Sequence, residues 1–240
     1  MIRVARTASP GSPVVVLYHA GASAAVLAAV PSSWGIVSET YPGFQDHYTH
    51  LGADAITPMP DVLAAAGASP DAPVVLVGFS EGCQGVRTQL LAGVEPSAVL
   101  AVDGIHAQTE AWRTLVLRAR RGEAKLTVTH SSIEPGSYPS TTATAAVLES
   151  FRGTDDYPLT SVYEDGGLRI LGFAGTDAAA HIFQGTVVLP NELARIAEGA
   201  LPAYRSSFSL AGPILGAASA FAAFALLLAL DVFSDKDPFA

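Results

Sequence analysis

The chain has 240 residues, half of them hydrophobic and only 15% charged, with a formal net charge of −9. That length suffices for one sizeable domain with a full core, or a domain with an appendage, and the apolar content excludes a disordered chain. The acidic balance excludes the basic surface that nucleic acid needs, and the single cysteine, Cys83, excludes an intrachain disulfide.

Met1 to Arg6 is too polar, and too soon followed by Pro10 and Gly11, to read as a secretory leader. Val14 to Tyr18 is a continuous β-branched run, bounded by Pro13 and Gly21, and predicts a buried strand. Ala22 to Val30 predicts a helix stopped by Pro31, and Gly35 to Ser38 a second strand. A polar loop follows from Tyr41 to Gly52, then a helix over Pro60 to Gly67 and a strand over Val74 to Val77. Cys83 to Leu91 can be helical, Ala98 to Val102 is a strand, and Glu110 to Arg121 is a helix with basic residues at its tip and Gly122 as a stop. Leu126 to Thr129 is a strand, Thr141 to Phe151 a helix, Leu168 to Phe173 a final strand and Leu189 to Glu198 a final helix. Arg152 to Gly167, with Asp155, Asp156, Glu164 and Asp165, reads as a solvated excursion. Strands alternating with helices predict a three-layer α/β sandwich around a mostly parallel sheet, whose sites lie just past the carboxyl ends of the strands.

At one such end stands Gly78-Phe79-Ser80-Glu81-Gly82. Composition alone gives ~0.2 chance matches to Gly-x-Ser-x-Gly, so the setting between a strand and a helix carries the reading. A serine on so sharp a turn exposes its hydroxyl, and the next backbone N–H faces the place where an oxyanion would form. Other strand ends add His19-Ala20-Gly21, then Asp103-Gly104-Ile105-His106, then His130-Ser131-Ser132-Ile133-Glu134, and past the last strand His181.

A strand, a His-Ala-Gly loop, a serine elbow, an acid and a late histidine, in that order, resemble the α/β-hydrolase family over roughly residues 13–200. The resemblance implies Ser80 as nucleophile, His181 as general base, and oxyanion donors at the backbone N–H groups of Glu81 and Ala20. The acid departs from the commoner pattern of the family, which would draw on the loop that offers Glu134. Asp103, directly at a strand end beside a glycine, is the favoured carboxylate and Glu134 the alternative. His19, Phe79, His106 and His130 are candidate substrate-binding residues, with the two later histidines read as pocket lining or satisfied polar groups. Cys83 is read as a small buried helix residue.

Asp46, His47 and His50 match no tight ligand motif, so no metal and no cofactor are expected. Trp34, Tyr41, Phe44 and Tyr48 fit an acyl pocket and a core equally well. The short stretch from Gly104 to Lys125 leaves room for only a small lid.

From Ser206 to Leu230 no residue carries a charge, and the stretch contains Gly212 and Gly216 in a Gly-x-x-x-Gly spacing. As a helix it would measure about 37 Å, enough to cross a bilayer core or to join copies of the chain in an oligomer. Domain 1–205 is thus expected to be catalytic, 206–230 a transmembrane helix and 231–240 a short acidic tail. Arg195 and Arg205 before the stretch lean the catalytic domain to the cytoplasm. The expected activity is that of a serine esterase or thioesterase acting on a small-molecule or lipid-like ester at a membrane. The rival expectations are a non-catalytic membrane-anchored interaction protein and an amidase or peptidase on the same triad.

Overall fold

Among the described residues, eight strands form one sheet in the order β1-β3-β2-β4-β5-β6-β8-β7. They are β1 (Ile2–Arg6), β2 (Val14–Tyr18), β3 (Gly35–Glu39), β4 (Val74–Phe79), β5 (Ala98–Val102), β6 (Lys125–Ser131), β7 (Val162–Asp165) and β8 (Leu168–Phe173). The computed structural model describes residues 2–40, 56–105, 110–131, 162–173 and 178–202, all within one compact unit, Met1–Arg205. The expected helix over 141–151, the polar loop with Asp46, His47 and His50, the aromatics Tyr41, Phe44 and Tyr48, and the stretch 206–240 lie outside the described residues.

β3, β2, β4, β5, β6 and β8 run parallel, while β1 and β7 close the two edges antiparallel. All five residues of β2 are buried, as are all five of β5, which is why both read as unbroken apolar runs. Alternate side chains serve opposite faces. Val14, Val16 and Tyr18 join the core that holds Met59, Val62, Leu63, Val86, Trp112 and Leu115. Val15 and Leu17 join Val26, Val30, Leu189, Leu193 and Ile196 on the other side. The first core is therefore covered by α2 (Met59–Ala65), α3 (Gly82–Leu91) and α4 (Glu110–Arg120). The second lies under α1 (Ala24–Ala29) and a terminal helix, α6 (Leu189–Glu198).

Local chemistry places these helices. Ser23 caps α1 by accepting the Val26 N–H at 3.3 Å, and Pro31 follows its end. In α4, Trp112, Leu115, Val116 and Ala119 recur at one face and are buried. Trp34 belongs to the core beneath α1.

Three elements depart from the sequence reading. Ile2–Arg6 is a strand, exposed at its three middle residues and half-buried at both ends, and it pairs with β3 at the edge of the sheet. Val162–Asp165 is also a strand rather than part of a solvated excursion. Its Glu164 pairs with Arg169 and with Arg195, and its Asp165 with Arg120. Finally, His181 lies on a short helix, α5 (Ala178–Phe183), which runs into a π-helical turn, Gln184–Val188, and then into α6. Among the described residues no helix is long and apolar enough to cross a membrane.

Candidate active site

The parallel register aligns the carboxyl ends of neighbouring strands: Tyr18 beside Gly78, Phe79 beside Val102, Val102 beside Thr129. The next residue after each of β2, β4 and β5 is His19, Ser80 and Asp103. Among the described residues these are the only non-glycines with positive φ, at 53°, 53° and 43°. A left-handed conformation is costly for a residue with a β-carbon, so surrounding contacts must hold it. Three adjacent strands thus turn sharply at the same level and bring His19, Ser80 and Asp103 together at the carboxyl end of the sheet.

Tight packing enforces the turns. The Ser80 N–H donates to the Val102 carbonyl at 2.8 Å, and the Ser80 carbonyl accepts the Cys83 N–H at 3.1 Å. A β-carbon on Gly82 would overlap the Tyr18 carbonyl oxygen, and one on Gly104 would overlap the Ser80 carbonyl. Only glycine lets the elbow sit this close to both neighbouring strand ends. Cys83 fills the space behind it, fully buried, and burial pushes its thiol pKa well up.

His181 reaches this point from the far end of the domain. Its Nδ1 lies 2.7 Å from Oδ2 of Asp103, with both side chains almost fully buried. A carboxylate on Nδ1 keeps the proton there and leaves Nε2 as the acceptor. The imidazole also stacks on Phe79, with ring centroids 4.7 Å apart and planes 25° from parallel. Phe79 precedes Ser80, so the stack carries the ring to the residue beside the elbow. This places Phe79 under the histidine, whereas the sequence had marked it only as a candidate for substrate contact.

Glu81 forms the N-cap of α3, where the first amide groups of a helix have no carbonyl partner within it. The positive end of the helix dipole adds to that donor potential. Ala20, half-buried, follows the left-handed His19. His19 is half-exposed and stands with its β-carbon over Gly82. Burial first, and the charge of His181 second, hold its pKa below the usual histidine value. His130 is completely buried at the end of β6, and burial pushes its pKa down to about 4 against a smaller opposing pull from Asp103. His130 is therefore a neutral interior imidazole. His106 and the alternative acid Glu134 lie outside the described residues.

Further polar residues that the sequence reading did not single out support the site. Gln89 of α3 donates from Nε2 to the Tyr18 hydroxyl at 3.0 Å and to the Thr57 carbonyl at 2.9 Å. Oε1 of the buried Glu39 accepts the Thr57 N–H at 2.9 Å and its hydroxyl at 2.5 Å. This chain ties the ends of β2 and β3 to α3 just below His19. No local pattern announces it, because each member contributes one polar atom from a different element. Among the described residues no cluster of three or more metal-binding side chains occurs.

No protein-family model matches the sequence, and no curated protein sequence matches it. Solved structures of similar form include a "predicted CIB-like hydrolase" from Thermoplasma acidophilum, 18% identical, with a TM-score of 0.46 over 81% of this chain and 88% of that one. An "IroE-like serine hydrolase" from Shewanella oneidensis is 14% identical, with a TM-score of 0.45 over 82% of this chain and 74% of that one. The type II thioesterase BorB of the borrelidin biosynthetic cluster is 17% identical, with a TM-score of 0.45 over 83% of this chain and 97% of its own. Likeness of this degree assigns no activity to the chain.

Proposed function

We propose that this chain is a serine hydrolase of the α/β-hydrolase type that cleaves a carboxylic ester or thioester through an acyl-serine intermediate. The observation that carries the reading is the buried Asp103–His181 contact of 2.7 Å, set beside a serine on a left-handed turn at the neighbouring strand end. In this reading Nε2 of His181 takes the Ser80 proton as Oγ attacks the substrate carbonyl. Asp103 holds the tautomer and stabilises the imidazolium that forms. The N–H groups of Glu81 and Ala20 receive the developing oxyanion, where loss of one donor typically costs about 3–4 kcal/mol. His181 then passes the proton to the leaving group, and water, deprotonated by the same imidazole, releases the acid and restores Ser80.

Fluorophosphonate labelling tests the assignment. The wild-type protein is expected to be tagged and Ser80→Ala to stay blank; equal tagging of both overturns Ser80 as nucleophile. Matched ester, thioester and amide substrates then separate the esterase reading from an amidase or peptidase.

The charge-free stretch from Ser206 to Leu230 supports a membrane tether for this enzyme, with a lipid-like ester as substrate and the catalytic domain on the cytoplasmic side. Its Gly212 and Gly216 spacing also supports self-association. The full chain should resist alkaline carbonate extraction from membranes, and a chain ending at Arg205 should be released. Release of both forms would remove the tether from the proposal.

A further inference from the structure

A second connection joins β5 to the helix of His181, besides the contact between carboxylate and imidazole. The Asp103 N–H lies 3.1 Å from the Thr129 carbonyl oxygen and 3.1 Å from the Thr129 hydroxyl oxygen. That hydroxyl donates in turn to Oε1 of Gln184, 2.5 Å away. Gln184 opens the π-helical turn, three residues beyond His181. Asp103 and His181 are therefore linked twice, once directly and once around the circuit Asp103 N–H, Thr129 Oγ1 and Gln184 side-chain amide. The circuit is dry: Gln184 and Thr129 are fully or almost fully buried.

From this double linkage we infer that Thr129 and Gln184 are positioning residues, which fix the orientation of the His181 ring relative to Asp103 and Ser80. The inference rests on the hydrolase reading above and adds to it two residues which that reading does not use. A single hydrogen bond lets a short helix pivot about its axis; a second attachment, one turn further along, removes that freedom. The π-helical turn is suited to this, because its wider winding displaces the residues that follow a helical turn, and such turns recur at functional sites. Gly185, next in the turn, lies against the Phe79 ring on which His181 stacks.

Stability alone does not explain the pair. The Gln184 amide nitrogen is buried without a partner among the described residues. Such a group lowers stability, and an apolar side chain of the same shape would avoid the loss. Valine would likewise fill the Thr129 site within a strand. The Asp103 N–H would still keep its main-chain acceptor, the Thr129 carbonyl.

The test uses the full chain with Thr129→Val, Gln184→Met, the double variant and Thr129→Ser, assayed on a p-nitrophenyl ester. Displacement of a catalytic group by about 1 Å costs roughly 100-fold. Thr129→Val and Gln184→Met are each expected to lower kcat about 10- to 100-fold while KM changes little. The double variant should be no slower than the worse single one, because the two act as a unit. It should also melt no lower than wild type, and Thr129→Ser should restore most of the rate. A readout independent of turnover is the 1H NMR resonance of the proton between His181 Nδ1 and Asp103, assigned by its loss in His181→Gln. It should be sharp in wild type and broadened or lost in both single variants.

Wild-type kcat and an unchanged resonance in both variants overturn the inference while Ser80 labelling stands. Loss of rate that tracks a fall in Tm, without rescue by Thr129→Ser, also overturns it by reducing the pair to packing. If wild type fails to take the fluorophosphonate, the hydrolase reading falls, and the resonance alone decides whether the pair orients His181.

Discussion

Ser80 occupies a backbone conformation, φ 53°, that costs a residue with a β-carbon about 1–2 kcal/mol. Glycine does not bear that cost, so Ser80→Gly should be more stable than Ser80→Ala by about 1 kcal/mol in urea unfolding, with both variants inactive. Equal stabilities would show that the turn is not strained. Asp103 shares the left-handed conformation, and asparagine tolerates it well. Asp103→Asn should therefore fold normally, yet present the wrong hydrogen-bonding partner to Nδ1 of His181. A fall in kcat of about 10⁴-fold is expected, and a loss below tenfold would transfer the acid's role elsewhere. Cys83 gives a prediction in the opposite sense. Its thiol is buried with a raised pKa, so a maleimide should label it only when the chain unfolds. At this scale the sequence was legible for position wherever a residue directly follows an apolar strand, as Ser80 and Asp103 do. It was silent on Thr129 and Gln184, whose roles come from one hydrogen bond between residues 55 positions apart.

The elements that could be read in advance were those with a strong local signal. β2, β4 and β5 are unbroken apolar runs because helices cover both faces of the sheet. β1 and β7 carried no such signal. An edge strand is half exposed, and in β7 the sequence Val-Tyr-Glu-Asp looks like a loop until Arg169, Arg195 and Arg120 stand opposite its acids. α5 was hidden for another reason: six residues, half of them alanine, give no period to detect. Its junction with the π-helical turn is nevertheless where the geometry of His181 is decided. A β-carbon on Gly185 would come within 2.7 Å of the Phe79 ring. That ring cannot move aside without shifting the imidazole stacked on it. Gly185→Ala should accordingly lower kcat by about tenfold or more with little loss of secondary structure, as judged by circular dichroism alongside ester hydrolysis. A smaller side chain on the other partner, in the double variant Gly185→Ala with Phe79→Leu, should recover part of that loss if the collision is its cause.

For the whole domain, the buried His130 predicts how the fold responds to acid. In the unfolded chain its imidazole takes up a proton near pH 6.5, whereas in the fold burial delays this to about pH 4. Between those values the unfolded state binds more protons than the native one, so stability must fall as pH falls through that window and level off below it. At full extent the penalty is of order 3 kcal/mol, a large share of the 5–15 kcal/mol typical of a domain. Above pH 7 both states are neutral at this position and the contribution vanishes. Carboxylates titrating in the same range would obscure the effect in the wild-type protein alone. A comparison with His130→Gln isolates it, because glutamine keeps a polar side chain at that position and does not titrate. Urea unfolding from pH 7 to pH 4 should show wild type losing more stability than the variant by about that amount. Parallel pH profiles would mean that His130 is protonated as readily inside the fold as outside it, and that the acid limit of this domain lies with its carboxylates.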